Sequence, residues 1–318
     1  MITIAIPTYN HHKELLVQLR VLLPQLADGS VELLIIDNHS PEPVATFLEG
    51  KIELPEFVRI IRNETNIGID RNIHHCIKHA KTQWVWTLSD NDVLKPNGVE
   101  QVFAVIRRHR NSAFITLSGR PEVEAQGLIE YCRLVTYWTT YSCSHTAFNK
   151  SFFDLYEGYY DLRVDTHQSQ LLTALKILAD RPETRCTIAN VDFINDPEPA
   201  CWSKAAYVFD TSKVFGILRK DHPEQYHQIL STLGVQITRM QMGHLMNARA
   251  YEGLGIANYL RLVLLILRDA SWMSLLDGRT PLVLVTLVMP SIYRKVRKMK
   301  GLCAYKFSDA SRTMRWNY

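Results

Sequence analysis

Residues Trp84-Val85-Trp86-Thr87-Leu88 form an unbroken run of apolar and β-capable side chains that leads into Ser89-Asp90-Asn91-Asp92. A run of this length without alternation suits a strand buried on both faces, the pattern of a parallel sheet. In such sheets ligands bind beyond the carboxyl ends of the strands, which is where Asp90 and Asp92 emerge. Carboxylates at i and i+2 of an extended chain point the same way and can share one hard divalent cation. A cation held there would also bind phosphate oxygens. An ordinary Asp-rich turn gives the same letters, so the rest of the chain must decide between the two.

The preceding residues repeat one theme. Ile2 to Ile6 reads as a short strand stopped by Pro7, and Leu15, Leu16, Leu19, Leu22, Leu23 and Leu26 then recur at helical spacing. Val31 to Ile36 and Phe57 to Ile61 are two further apolar runs, and Ile67 to Ala80 has helical periodicity. After the run at 84–88, Val99, Val102, Phe103 and Ile106 mark a helix and Ala113 to Leu117 a strand. Strand and helix in alternation predict an α/β domain with a largely parallel sheet and right-handed crossovers.

Polar residues gather where these strands end: Thr8, Tyr9 and Asn10 after the first, and Asp37, Asn38 and Ser40 after the second. Asn63, Asn66 and Gly68 follow the third, and Asp90 and Asp92 the fourth. Four polar loops on one sheet edge describe a cleft of nucleotide size. Neither G-x-G-x-x-G nor G-x-x-x-x-G-K-[ST] occurs, so the familiar backbone cradles for phosphate are absent. A metal on Asp90 and Asp92 is the remaining device for holding a diphosphate.

Four segments in order, Ile4-Ala5-Ile6-Pro7-Thr8-Tyr9-Asn10, Leu34-Ile35-Ile36-Asp37-Asn38-His39-Ser40, Asn63-x-x-Asn66-x-Gly68-x-x-x-Asn72 and Leu88-Ser89-Asp90-Asn91-Asp92, resemble the motifs of family 2 glycosyltransferases of the GT-A fold. The resemblance covers roughly residues 1–118. It implies a Rossmann-like, mostly parallel sheet flanked by helices, and a nucleotide-sugar donor. Carried over, Thr8, Tyr9, Asp37 and Asn38 would contact base and ribose, and Asn66, Gly68 and Arg71 would line the nucleotide side. Asp90 would reach ribose or metal, Asp92 would bind Mn²⁺ or Mg²⁺, and a family 2 enzyme most often inverts the anomeric centre by direct displacement. Two positions depart from the common pattern: Asn38 stands where many relatives have a second Asp, and Asn91 sits between the two carboxylates.

On the same basis residues 119–212 would form the acceptor side of a domain spanning 1–212. The expected general base is Asp165, in Asp161-Leu162-Arg163-Val164-Asp165-Thr166-His167 just ahead of a helical run, with His167 as metal or phosphate contact or second-choice base. Asp161 is a weaker candidate. A capping role explains Asp165 or Thr166 equally simply. Tyr141 to Phe148 reads as a strand containing a packed His145, and Thr187 to Ile194 as another. Trp202, in the Pro-rich loop that follows, would stack on a sugar or cover the bound donor, or else anchor that loop to the core.

The C-terminal region, 213–318, reads as helical. From about Phe215 to Ala250 the pattern is helical, and Ile256 to Arg268 and Pro281 to Pro290 are strongly apolar. From Arg294 onward there are eight Lys or Arg and one Asp, a net +7 inside a chain of net +4. Neither apolar stretch reaches the roughly 20 residues needed to span a bilayer. Apolar segments flanked by cations instead fit a helix lying in the membrane interface, with packing on the domain or on a homodimer partner as the alternative. Scattered cysteines without a C-x-x-C pair argue against disulfides and zinc, and no readable nucleic-acid module is present. Together these readings predict a cytoplasmic enzyme, peripheral on the inner face of the inner membrane. It would pass a hexosyl or deoxyhexosyl unit to a polyprenyl-diphosphate-linked glycan of bacterial surface polysaccharide, the O-antigen type included. A non-catalytic scaffold subunit with the same fold is the alternative.

Overall fold

The computed structural model describes residues 2–26, 31–118, 121–134, 143–161, 166–195 and 204–269, with isolated residues between 283 and 294. The chain divides into two compact units, Met1–Pro197 and Glu198–Tyr318. Asp165 and Trp202 lie outside the described residues, as do the basic residues after Arg294.

The first unit is built on eight strands. They are β1 Ile2–Thr8, β2 Val31–Asp37, β3 Val58–Arg62, β4 Trp84–Thr87, β5 Phe114–Ser118, β6 Val123–Gln126, β7 Thr146–Asn149 and β8 Arg185–Asn190. Its helices are α1 His12–Leu22, α2 Val44–Leu48, α3 Ile69–His79, α4 Gly98–Arg108, α5 Gly127–Leu134, α6 Lys150–Phe153, α7 Glu157–Asp161 and α8 Ser169–Asp180. The strands form one sheet in the order β3-β2-β1-β4-β7-β5-β8-β6. Strands β3, β2, β1 and β4 run parallel, β7 is antiparallel to both β4 and β5, β8 is parallel to β5, and β6 closes the edge antiparallel.

The apolar runs sit where continuous hydrophobicity requires. Ile4, Ala5 and Ile6 of β1, Leu33 to Ile36 of β2 and Val85 and Trp86 of β4 are inaccessible to solvent. Leu15, Leu19 and Leu22 of α1 and Val102 and Ile106 of α4 pack into the same core as β1, β2 and β4. Strand β3 is the edge of the parallel half, and its partly exposed residues include Arg59 and Arg62, charges that discourage pairing with a further strand. The chain runs from β1 outward through β2 to β3 and then returns to the other side of β1 as β4. That reversal leaves a topological switch between β1 and β4, where open α/β sheets bind ligands.

Three segments differ from the sequence expectation. The strand expected over 141–148 is shorter: a 3₁₀ turn, Cys143–His145, precedes β7, and Tyr141 and Ser142 lie outside the described residues. The turn is held across the end of β4, with Trp86 Nε1 donating to the Ser144 carbonyl at 2.9 Å and Thr87 Oγ1 to the Cys143 carbonyl at 2.7 Å. The strand expected to run to Ile194 ends at Asn190, and the chain beyond it pairs instead with 93–95 through an antiparallel bridge, Leu94 to Ile194. In the second unit the helical pattern expected from about 215 to 250 begins earlier and falls on two helices, α9 Lys204–Asp221 and α10 Pro223–Tyr251. Proline has no N–H to continue α9 and is favoured at the first position of a new helix, so Pro223 sets the break.

The second unit also holds α11, Ile256–Asp269. Val208, Met242, Leu245, Met246, Tyr259, Leu262 and Ile266 form its core. The opposite face of α11 leaves Ile256, Leu260, Leu264 and Leu267 exposed. Among the described residues no helix is long and apolar enough to cross a membrane.

Candidate active site

The loops leaving β1, β2, β3 and β4 come together at the switch. Parallel pairing places Thr8 opposite Asp37, and Leu88 N–H donates to the Ala5 carbonyl at 2.9 Å just beyond β4. Thr8 is buried, and its carbonyl accepts the Asn38 N–H at 2.9 Å. Tyr9 leaves its ring exposed. Asn10 adopts a left-handed φ of 55° and donates its N–H to Ser40 Oγ at 2.9 Å, tying the β1 loop to the β2 loop. His39 and His167 also have positive φ. Non-glycine residues in that region mark loops whose shape the surroundings enforce.

Asp37 shapes the loop it begins. Its Oδ1 accepts the Ser40 N–H at 2.8 Å, and its Oδ2 accepts the Val44 N–H at 3.2 Å and Arg62 Nη1 at 2.6 Å. Burial opposes its ionisation, yet the bonds from Ser40, Val44 and Arg62 hold its carboxyl below the usual carboxylate range. Both oxygens are thus committed to protein donors, and the residue sits 1% exposed.

Asn38 shows why an amide serves at this position. Its Oδ1 accepts Asn63 Nδ2 and the Ile67 N–H, each at 3.0 Å. Its Nδ2 donates to Asn66 Oδ1 at 2.9 Å and to the Gly68 carbonyl at 3.4 Å. An aspartate could accept the first pair but not donate the second. Asn63 extends the lattice to Asn72 Oδ1 at 2.9 Å, and Asn72 Nδ2 reaches the Ile36 carbonyl at 3.2 Å. Gly68, at φ 83°, precedes α3 and donates its N–H to Asn66 Oδ1 at 3.0 Å. Arg71 is exposed on the first turn of that helix.

Asp90 and Asp92 follow β4 as expected, and each has a neighbour that sequence reasoning missed. His11 Nδ1 lies 3.2 Å from Asp90 Oδ1, and this hydrogen bond raises the imidazole above its ordinary range. Ser144 Oγ donates to Asp92 Oδ2 at 2.5 Å and accepts the Ser89 N–H at 2.8 Å. Burial raises the Asp92 carboxyl; the Ser144 hydroxyl and His145 lower it, and the like charge of Asp90 adds to the rise. A carboxylate buried beside another is an arrangement that a divalent cation relieves. Among the described residues no group of three or more His, Cys, Asp or Glu stands ready as a complete metal site. His167 therefore does not join Asp90 and Asp92 in such a group as the side chains stand. Two carboxylates are the donor chemistry that a hard cation takes, with its remaining positions left to other oxygen ligands.

Asp70 was not among the sequence candidates, because a single Asp on a helical run reads as surface charge. It is buried on α3, and its Oδ2 accepts the His167 N–H at 2.7 Å. Burial pushes its carboxyl up to about 6, against the lowering effect of the His167 N–H. Asp161, the weaker base candidate, pairs with His74 Nδ1 at 2.9 Å.

Residues 3–126 match the family described as Glycosyl transferase family 2. A protein of Haemophilus influenzae described as an uncharacterized glycosyltransferase is 32% identical over 127 residues, which is 40% of this chain and 42% of that protein. The match therefore spans less than half the length of that relative. Among solved structures, S. aureus TarS 1–349 in complex with UDP-GlcNAc has a TM-score of 0.53 at 14% identity, covering 96% of this chain and 93% of that one. The mannosyltransferase PcManGT from Pyrobaculum calidifontis, in complex with GDP-Man and Mn²⁺, has a TM-score of 0.56 at 13% identity, with 92% and 87% covered. At such identities these two likenesses speak for the fold, a GT-A sheet flanked by helices.

The Asp70 carboxyl, raised from 3.8 to about 6 by folding, sets a direction for stability. Between these values the unfolded chain gives up the proton first, so stability falls as pH rises from about 4 to about 6 and levels off above. Asp70→Asn keeps an oxygen for the His167 N–H and removes this cost. Thermal denaturation across that range should show the variant more stable at pH 7, on the order of 2 kcal/mol, with a flatter pH profile. A variant equally or less stable at pH 7 would contradict the assignment.

Proposed function

From the match of residues 3–126 to the family 2 glycosyltransferases, we propose that the protein transfers a sugar from a nucleotide-diphosphate sugar to a hydroxyl of a growing glycan. The observation that carries this is the pair Asp90 and Asp92, set at the β1–β4 switch beside the polar loops of β1, β2 and β3. In this reading the exposed Tyr9 ring and the Asn38–Asn66–Gly68 loop receive the nucleoside, with Thr8 and Asp37 shaping the floor beneath it. Arg71 lines the nucleotide side, Asp90 reaches ribose or metal, and Asp92 is the firmer metal ligand. Mn²⁺ or Mg²⁺ bound there would neutralise charge on the departing diphosphate. The acceptor hydroxyl attacks the anomeric carbon as its bond to the diphosphate breaks, and Asp165 takes the hydroxyl proton, so the centre inverts. His167 is the second candidate for that proton or for a phosphate contact, and Trp202 would cover the donor.

The lipid side of the proposal rests on the second unit. Ile256, Leu260, Leu264 and Leu267 stand exposed at helical spacing on α11. The apolar run 281–290 and the basic C-terminus follow in sequence. Such a stripe buries apolar area in a bilayer interface, and each nearby cation adds about 1 kcal/mol on an anionic surface. The acceptor this favours is a polyprenyl-diphosphate-linked glycan at the inner face of the membrane.

Two measurements test these parts separately. In a thermal-shift panel of UDP-, GDP-, dTDP- and CDP-sugars with Mn²⁺, at least one donor should raise Tm. A ligand at about 100 times its Kd adds about 2.7 kcal/mol. Removing the metal or changing Asp92→Ala should abolish the shift; a flat panel, or a shift untouched by Asp92→Ala, would overturn the donor assignment. In sedimentation with vesicles, binding should require phosphatidylglycerol, weaken with salt and drop in Leu264→Glu. Equal binding of that variant would remove α11 from the account.

A further inference from the structure

Helix α3 holds other elements along its first two turns. Its first residues continue the nucleotide loop, since Gly68 precedes it and Asn38 Nδ2 bonds the Gly68 carbonyl at 3.4 Å. Two residues on, Asp70 is 2% exposed, and its Oδ2 accepts the His167 N–H at 2.7 Å. The Asp70 carbonyl accepts the Tyr160 hydroxyl at 2.9 Å. One turn later His74 meets Asp161 at 2.9 Å, and its ring packs on Tyr160 with centroids 4.5 Å apart. Two successive turns of α3 therefore hold the end of α7 and the turn that enters α8.

The turn entering α8 is the strained one. His167 has a φ of 55°, and its side chain is exposed. A histidine stays in the left-handed region only when neighbours compensate its cost. A buried carboxylate oxygen accepting its N–H is such compensation, and it is stronger than a neutral acceptor when ionised.

We propose that Asp70 is a positioning residue for sugar transfer: without touching substrate, it fixes His167 and the start of α8 relative to the nucleotide loop at Asn66–Gly68. The proposal rests on the transferase reading above. A carboxylate that only capped α8 would matter to stability alone. A strut between the donor loop and the acceptor-side turn matters to turnover in a protein that still binds donor normally.

The test uses the full chain, with UDP-N-acetylglucosamine and GDP-mannose as probes and release of nucleoside diphosphate as the readout. Asp70→Ala should lower kcat at least tenfold while the donor KM stays within twofold. Asp70→Asn, which still offers an oxygen to the His167 N–H, should bring kcat back to within threefold of wild type. Tyr160→Phe, which frees the other contact and keeps the ring, should lower kcat at unchanged KM, and it carries the test if Asp70→Ala does not fold. Wild-type kcat in Asp70→Ala or, failing that, in Tyr160→Phe would overturn the proposal. So would a KM that rises in step with the loss of kcat, or no recovery in Asp70→Asn. Those results in an active enzyme leave the transferase reading standing; a wild type that releases no nucleoside diphosphate from either probe counts against that reading and takes the strut proposal with it.

Discussion

The site depends on the pairing of β1 with β4. These strands are distant in sequence, and their parallel register, Ile2 with Trp84 through Ala5 with Thr87, is what brings the loop after Thr8 alongside the loop after Leu88. The 3.2 Å contact of His11 with Asp90 lies across that seam. Register in such a sheet is strongly specified, because a slip of one residue would turn Ile4, Ile6, Trp84 and Trp86 out of the core they share. The same burial that fixes the fold therefore fixes the distance between the two halves of the nucleotide cleft. Trp86 adds a second constraint: its indole N–H holds the Ser144 carbonyl, and the Ser144 hydroxyl holds Asp92. One core aromatic thus orients a carboxylate expected to bind metal.

On the other side of β1 the Asp37 carboxylate holds the loop after β2, and amides hold the loop before α3. Asn38 and Asn72 each donate and accept, Asn63 Nδ2 donates to both of them, and Asn66 Oδ1 accepts Asn38 Nδ2 and the Gly68 N–H. A buried network of this kind is favourable only when its members are satisfied, and here the backbone of Ile67, Gly68 and Ile36 completes it. The single ion pair among these loops, Arg62 with Asp37, lies at the sheet edge where solvent reaches the arginine. His75 Nδ1 at Asn63 Oδ1 and His39 Nδ1 at the Asn63 carbonyl add titratable groups to the supports of the loop before α3.

Legibility in the sequence followed distance along the chain. Strands β1, β2 and β4 could be read because burial on both faces leaves continuous apolar runs, and their polar ends announced the cleft. The largely parallel sheet was readable from the alternation, while the two reversed strands, β7 and β6, were not. Strand β7 is four residues long, and nothing in Thr146–Asn149 distinguishes a strand inserted antiparallel between β4 and β5 from one added at an edge. Ser144 was unreadable as a partner of Asp92, because serine is an ordinary loop residue and the two meet only when β7 lies beside β4. Asp70 was hidden for a related reason: on a helix of alternating polar and apolar residues, only the packing of α8 against α3 makes it a buried charge. The helix break at Pro223 could have been read from the proline alone. Asp37 shows the limit of motif transfer, since the residue stands where the family pattern places it while its oxygens serve the loop itself.

The central claim is that Asp90 and Asp92 hold a divalent cation against a nucleoside diphosphate at the β1–β4 switch. Electron paramagnetic resonance of Mn²⁺ with ³¹P hyperfine detection tests it directly, using UDP and GDP in turn. The account predicts one bound Mn²⁺ coupled to nucleotide phosphorus in the wild type, and loss of that coupling in Asp92→Asn. Nucleotide binding without any Mn²⁺–phosphorus coupling, or a coupling unchanged by Asp92→Asn, would contradict it.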